Sequence, residues 1–221
     1  MDDERVAAFR VPEEVLRPAL RFGPWFIGAG LWAFANFSER MQFTEPMFAR
    51  VFGLLSGLYD AWTEVPGYGE ALEEGLDEIR RPPSRILDLA TGTGYVARLL
   101  VEKFPEAEVS GVDISPEMIA IAQHQAVAED KKMKFEVGAL SDLPFEDGSF
   151  DLVVQQNAMP YPDELMRVVA SRGSALYVWS FAGPWVSLAW PSLARRLTDA
   201  GAITVFGQQA GLGYYGVARK T

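Results

Sequence analysis

The chain has 221 residues, a formal net charge of −10, no cysteine, and 49% hydrophobic residues. That length suits one domain with an appendage, and the apolar share supplies a full core without covalent staples. The missing thiols exclude disulfides, cysteine nucleophiles and thiolate metal sites, and the acidic balance lacks the basic footprint that DNA or RNA binding needs.

Residues 1–20 read as an acidic start followed by a short helix from Pro12. Phe22 to Ser38 carry no charge, which is near the lower limit for a membrane-spanning helix. Acidic residues precede the stretch, no small-residue cleavage site follows it, and Gly23, Pro24, Gly28 and Gly30 interrupt it. We read it as a buried lid or packing helix. An oligomer interface and a membrane-surface helix flanked by Arg17, Arg21, Glu39 and Arg40 are the alternatives. A second apolar helix covers 45–63, and Glu70 to Ile79 repeat apolar and acidic residues at helical spacing. Pro82-Pro83 then stop the chain before the first core strand. Residues 1–83 are expected to form an N-terminal helical cover and 84–221 the core.

The core alternates strands and helices. Strands are predicted at 85–90, 108–113, 134–137, 150–155, 175–181, 202–208 and 214–220. Helices are predicted from about 94 to 103, from Pro116 to about 130, from Pro162 to about 170, and from 192 to 200. This alternation implies an α/β fold, a mostly parallel sheet covered by helices on both faces, and the final hairpin suggests an antiparallel edge strand.

The stretch ILDLATGTGYVARLL, residues 86–100, is a buried strand, a glycine loop and a helix start, and a second strand ends about twenty residues later on Asp113. A glycine loop opening a helix, with an acidic residue at the next strand tip, holds a nucleoside-containing cofactor. Gly92-Thr93-Gly94-Tyr95-Val96-Ala97 fits the relaxed dinucleotide fingerprint. Asp88, just before the loop, would repel a pyrophosphate but attract the ammonium and sulfonium of S-adenosylmethionine. Here the sequence resembles motif I of the class I S-adenosylmethionine-dependent methyltransferases, and LDLATGTG is especially similar to the quinone-ring branch. The resemblance continues through GVDISPEMIAIAQ (111–123) and LPFEDGSFDLVV (143–154), and covers most of 84–220. It implies a Rossmann-like seven-stranded sheet with an antiparallel last strand, and S-adenosylmethionine as cofactor.

Several roles follow from the resemblance. Asp88 partners the methionine ammonium, Ala90, Gly92 and Gly94 shape the methionine pocket, and Asp113 holds both ribose hydroxyls. Ile114 packs on the adenine, with Met118 as a further contributor or a core residue. Relatives often carry Gly-Asp-Ala after the third strand, and that aspartate accepts the adenine amino group. Here Gly138-Ala139-Leu140 puts Ala139 at that position, leaving the Leu140 backbone N–H to reach the ring. Gln156 and Asn157, beyond the fourth strand, are read as cofactor-facing polar groups. Tyr59-Asp60 resembles a Tyr-Asp element ahead of the core in small-molecule relatives, or is ordinary helix packing. His124, the lone histidine, falls on the helix after Asp113, away from the expected acceptor. If a base is needed, Tyr161, Tyr59 or a carboxylate such as Asp163 serves, unless the acceptor is already nucleophilic. No metal-ligand cluster is evident in the sequence.

The expected function is methyl transfer by direct displacement to a small hydrophobic or aromatic acceptor, in a cytoplasmic monomer or homodimer that binds no nucleic acid. Trp179, Phe181, Trp185 and Trp190 either wall the acceptor pocket or fill the core. The competing readings are a binding or regulatory protein that keeps the fold without catalysis, and a nicotinamide-dependent oxidoreductase.

Overall fold

A computed structural model describes residues 63–128, 133–181 and 183–221. The two apolar N-terminal segments, and with them Tyr59, lie outside the described residues, as does the Trp185 side chain. Among the described residues no helix is long and apolar enough to cross a membrane.

Helix α1 is Glu70–Asp77, strand β1 Arg85–Leu89, α2 Tyr95–Lys103, β2 Glu108–Asp113, α3 Pro116–Ala128 and β3 Met133–Val137. Strand β4 is Phe150–Gln156, α4 Pro162–Val168, β5 Val169–Trp179, α5 Gly183–Asp199, β6 Thr204–Ala210 and β7 Gly213–Arg219. The seven strands form one sheet in the order β3-β2-β1-β4-β5-β7-β6. Neighbours from β3 to β5 pair in parallel, and β7 runs antiparallel to both β5 and β6. The last strand is antiparallel, as expected, but it lies inside the sheet between β5 and β6, and β6 forms the edge.

Side chains of a strand alternate between faces, so each face collects its own core. One face gathers Ile86, Leu152, Val154, Leu176 and Val217 under α1, α2 and α3. The other gathers Leu87, Leu89, Val153, Tyr177 and Trp179 under α4 and α5. Helix α1 contributes Ala71, Leu72 and Leu76 to the first core. Helix α5 begins nine residues before the predicted start at 192 and carries Pro191 inside it. Val186, Trp190, Leu193 and Leu197 recur at helical spacing and are all buried, so packing holds the helix through a residue that removes one backbone donor. Strand β5 likewise starts at Val169, directly after α4, instead of at 175.

Candidate functional site

Five parallel strands deliver their carboxyl ends to one rim, which is where ligands of open α/β sheets lie. Alternation along β1, β2 and β4 puts Asp88, Asp113 and Gln156 on the face covered by α1, α2 and α3.

Asp88 is 1% exposed. Its Oδ2 accepts the Thr91 hydroxyl at 2.6 Å, whereas its Oδ1 meets no donor among the described residues. Burial pushes the carboxyl up to about 7. The Thr91 hydroxyl and a backbone N–H at Ala97 oppose the rise, and the charge on Asp113 adds to it. The loop that follows is left-handed at Ala90 (φ 58°), Gly92 (φ 54°) and Gly94 (φ 84°). Ala90 is a non-glycine residue there, and it is held by its neighbours: Thr91 is tied to Asp88, and the Thr91 N–H donates to Val112 O at 3.0 Å. Gly94 is the N-cap of α2, and a Cβ there would stand 3.3 Å from both Ala122 and Phe135. The loop therefore sits tight against α3 and β3.

Asp113 ends β2 and is 8% exposed. Oδ2 accepts the Gly92 N–H and Oδ1 accepts the Ser115 N–H, each at 2.9 Å. One carboxylate thus ties the glycine loop to the start of α3. Each oxygen keeps a further lone pair for a ligand. Burial raises the Asp113 carboxyl, and the N–H groups of Ser115, Gly92 and Ile114 oppose that rise. Ile114 beside it is half-buried. Met118 is buried without belonging to either hydrophobic core. Its N–H donates to the Ser115 hydroxyl, which caps α3.

After β3 the chain makes a tight turn in which the Asp142 N–H donates to Ala139 O at 3.3 Å. Ala139 and Leu140 are half-buried, and Leu140 packs on the α4–α5 core. Asp142 is exposed. The turn is braced from below. Arg167 reaches the carbonyls of Leu143 and Phe145 and the carboxylates of Glu164 and Asp147, and Glu164 accepts the Leu143 N–H.

The loop after β4 is held by a network that the sequence does not signal. Asn157 is left-handed (φ 52°). Its amide donates to Tyr68 Oη at 3.0 Å and to Ser180 Oγ at 3.1 Å, and its Oδ1 accepts the Ser180 N–H at 2.9 Å. The Gln156 amide donates to the same Ser180 hydroxyl at 2.6 Å, and its Oε1 is buried with no donor among the described residues. Gln155 points to the opposite face and donates to Met159 O at 2.7 Å. Tyr68 is 2% exposed and stands edge-on to Tyr95 and Phe181. Tyr161 is buried at the start of α4. His124 is exposed on α3, and the exposed Asp163 pairs with Arg196.

The predicted residues Asp88, Ala90, Gly92, Gly94, Asp113, Gln156 and Asn157 thus meet along one rim. Thr91, Tyr68 and Ser180 join them. Only Thr91 carried a local signal, a hydroxyl three residues from a carboxylate. The predicted aromatic wall divides. Trp179 and Trp190 belong to the α4–α5 face, whereas Phe181 joins Tyr68.

Comparison with known proteins adds four findings. Residues 86–176 match the family model described as a methyltransferase domain. Over 146 residues the chain is 39% identical to a demethylmenaquinone methyltransferase of Thermus thermophilus, covering 61% of this chain and 66% of that protein. Over 144 residues it is 29% identical to a malonyl-[acyl-carrier protein] O-methyltransferase of Halorhodospira halophila, covering 59% and 48%. The chain thus spans between about half and two thirds of the length of these relatives. An S-adenosylmethionine-dependent methyltransferase of Aquifex aeolicus shares the fold, with a TM-score of 0.58 at 18% identity over 72% of this chain and 95% of that one.

Proposed function

Because the chain belongs to the class I S-adenosylmethionine-dependent methyltransferases, we propose that it transfers the methyl group to a small hydrophobic or aromatic acceptor. The observation that carries this reading is the pair of buried oxygens without donors, Asp88 Oδ1 and Gln156 Oε1, on one face of neighbouring strands. Buried acceptors left unpaired are costly, and a ligand cation satisfies them. Their chemistry fits the cofactor's ammonium end. A second acidic group, Asp113, keeps the lone pairs that two ribose hydroxyls require.

When bound, S-adenosylmethionine supplies a methyl group on a sulfonium, which is itself a good leaving group. The chain's own residues then bind, orient and keep the site dry. Asp88 holds the ammonium, with Gln156 beside it, and Asp113 holds the ribose through charge-assisted bonds. Ala90, Gly92 and Gly94 bring backbone close, and Ile114 and Met118 offer apolar contact to the adenine. Ala139 presents no carboxylate to the adenine amino group, so the Leu140 backbone carries the polar reading there. Asn157, fixed by Tyr68 and Ser180, sets the loop beside the acceptor. Proximity and alignment contribute most of what such a displacement needs. Bound there, S-adenosylmethionine would give its methyl group to the acceptor and leave as S-adenosylhomocysteine, and the acceptor's proton would pass to a base or to solvent. Tyr161, on the loop after β4, and Tyr59 are the proposed proton acceptors.

Calorimetry with S-adenosylhomocysteine and NAD, followed by turnover of S-adenosylmethionine with a panel of quinols, phenols, amines and acyl thioesters, tests the reading. Binding of S-adenosylhomocysteine without turnover on any acceptor favours a binding or regulatory role. Binding of NAD in its place overturns the assignment.

A further inference from the structure

The sheet has two edges, and they are built differently. Strand β3 is five residues long and exposes Lys134 and Glu136. Charges of that kind keep an edge from pairing with another chain. Strand β6, Thr204–Ala210, is seven residues long, and its sequence TVFGQQA holds no charge and no proline. Its register with β7 runs unbroken from Thr204↔Arg219 to Ala210↔Gly213. Exposed Ile203 stands just before the strand and exposed Leu212 just after it. Among the described residues no strand pairs with its outer side.

Alternation along the strands fixes which backbone groups lie on that side. The Asn157 N–H donates to Val178 O, so Val178 turns its backbone groups toward β4, and Tyr177 and Trp179 turn theirs toward β7. Their partners Gly216 and Tyr214 are then spent on β5, which leaves Tyr215, Val217 and Arg219 for β6. The Ile203 N–H, which donates to Arg219 O, agrees. Thr204, Phe206, Gln208 and Ala210 therefore bond to β7. The backbone groups of Val205, Gly207 and Gln209 point outward.

This outward set is symmetric about Gly207. A second copy related by a two-fold axis at Gly207 pairs antiparallel with the first. Gly207 meets Gly207, Val205 meets Gln209, and each pair exchanges both backbone bonds. Phe206 then stands opposite Gln208 and diagonal to the other Phe206, within reach of an aromatic ring. The same axis carries Ile203 of one copy to the Gly211-Leu212 turn of the other, so the exposed apolar residues at the two ends cover each other. Charge points to the same partner. The chain carries a net charge of −10, so two copies repel over most of their surface, and β6 brings no charge of its own to the contact.

We propose that β6 pairs with β6 of a second copy, antiparallel about Gly207, and joins two seven-stranded sheets into one. Strands β4, β5 and β7 separate β6 from β1, which carries Asp88, so this surface is distinct from the cofactor rim.

The test is sedimentation velocity of the full chain over a dilution series, with amide hydrogen exchange read at each concentration. Wild type should sediment as a dimer that dissociates on dilution. The Val205, Gly207 and Gln209 amides should exchange slowly in the dimer and fast in the monomer. Gln208→Lys, at an exposed position, sets a charge close to its own symmetry mate. It should weaken the dimer at least about tenfold and leave S-adenosylhomocysteine binding unchanged, whereas Glu136→Lys on β3 should not weaken the dimer. The chain has no cysteine, so Gln208→Cys carries a single thiol. A short bis-maleimide should join two copies through it, and Glu136→Cys should stay uncrosslinked. A monomer at every concentration overturns the proposal. So does slow exchange of the three amides that dilution leaves unchanged, the result expected if residues 1–62 of the same chain cover the edge. A dimer as stable in Gln208→Lys as in wild type places the interface elsewhere and overturns it as well.

Discussion

Lowering the pH from about 7 to about 5.5 should weaken S-adenosylhomocysteine binding roughly fifteenfold, with Asp88 as the titrating group. Burial holds this carboxyl up to about 7, and its Oδ1 meets no donor among the described residues. The ammonium of the ligand pairs with the carboxylate and not with the acid. Binding below pH 7 must therefore release a proton, and affinity falls about tenfold for each further unit of pH. Between about pH 7 and about 5.5 that amounts to about 2 kcal/mol. Stability of the free protein should move the other way. The folded pKa stands above the unfolded value of 3.8, so the folded state binds the extra proton between about 4 and 7. The ligand-free protein then loses stability as the pH rises through that window, by up to about 4 kcal/mol from this group. Calorimetry in buffers of different ionisation enthalpy counts the released proton, and urea titrations at each pH read the stability. Asp88→Asn should remove most of both trends, leaving the part that belongs to the buried Asp113, stabilise the free protein at about pH 8, and weaken binding there. A dissociation constant that stays flat across the range, or a pH dependence as steep in Asp88→Asn as in wild type, would refute the reasoning.

The remaining predictions concern the same rim. Asp113→Ala should weaken S-adenosylhomocysteine binding by about 1.5–3 kcal/mol, the scale of lost charge-assisted bonds, and calorimetry on a folded variant that binds as well as wild type would sink the ribose assignment. The same variant should melt at lower temperature, because the Gly92 and Ser115 N–H groups lose their acceptor. Gly94→Ala should destabilise the fold by about 1–2 kcal/mol, since alanine resists a left-handed φ of 84° and its methyl would crowd Ala122 and Phe135; a urea midpoint equal to wild type would contradict this. Ala139→Asp should sharpen discrimination between adenosyl and inosyl analogues of the cofactor, and equal discrimination by both proteins would mean that another group already reads the amino position.

What the sequence made legible is what short-range chemistry dictates. Asp88, the glycine loop and Asp113 are marked by strand ends and turn residues, and all three meet in the structure. The parallel sheet follows from alternating apolar runs. Contacts made across the chain left no such mark. Tyr68 and Asn157 are 89 residues apart, and neither residue type announces the other. The start of α5 was hidden by Pro191, a residue that predicts a break. The buried stripe from Val186 to Leu197 overrides it because tertiary packing outweighs one missing backbone bond. The edge position of β6 was equally hidden. A hairpin read from sequence fixes which strands pair, but not which of the two docks on β5.

Among the described residues, four buried side-chain atoms without a hydrogen-bond partner divide by chemistry as well as by place. On the α1–α3 face the open atoms are acceptors, Asp88 Oδ1 and Gln156 Oε1. On the α4–α5 face they belong to Trp179, which only donates, and Tyr177, which can. A folded chain tolerates such atoms when a ligand supplies what they lack. Acceptors call for a cation, and donors call for an oxygen. The open acceptors on the α1–α3 face match the cationic methyl donor of the proposed reaction. The sheet separates the two polarities by nothing more than the alternation of side chains along β1, β4 and β5. A shift of one residue in the register of β5 would turn Trp179 to the cofactor face and Ser180 away from Gln156 and Asn157, so the order of residues at the strand ends builds the rim.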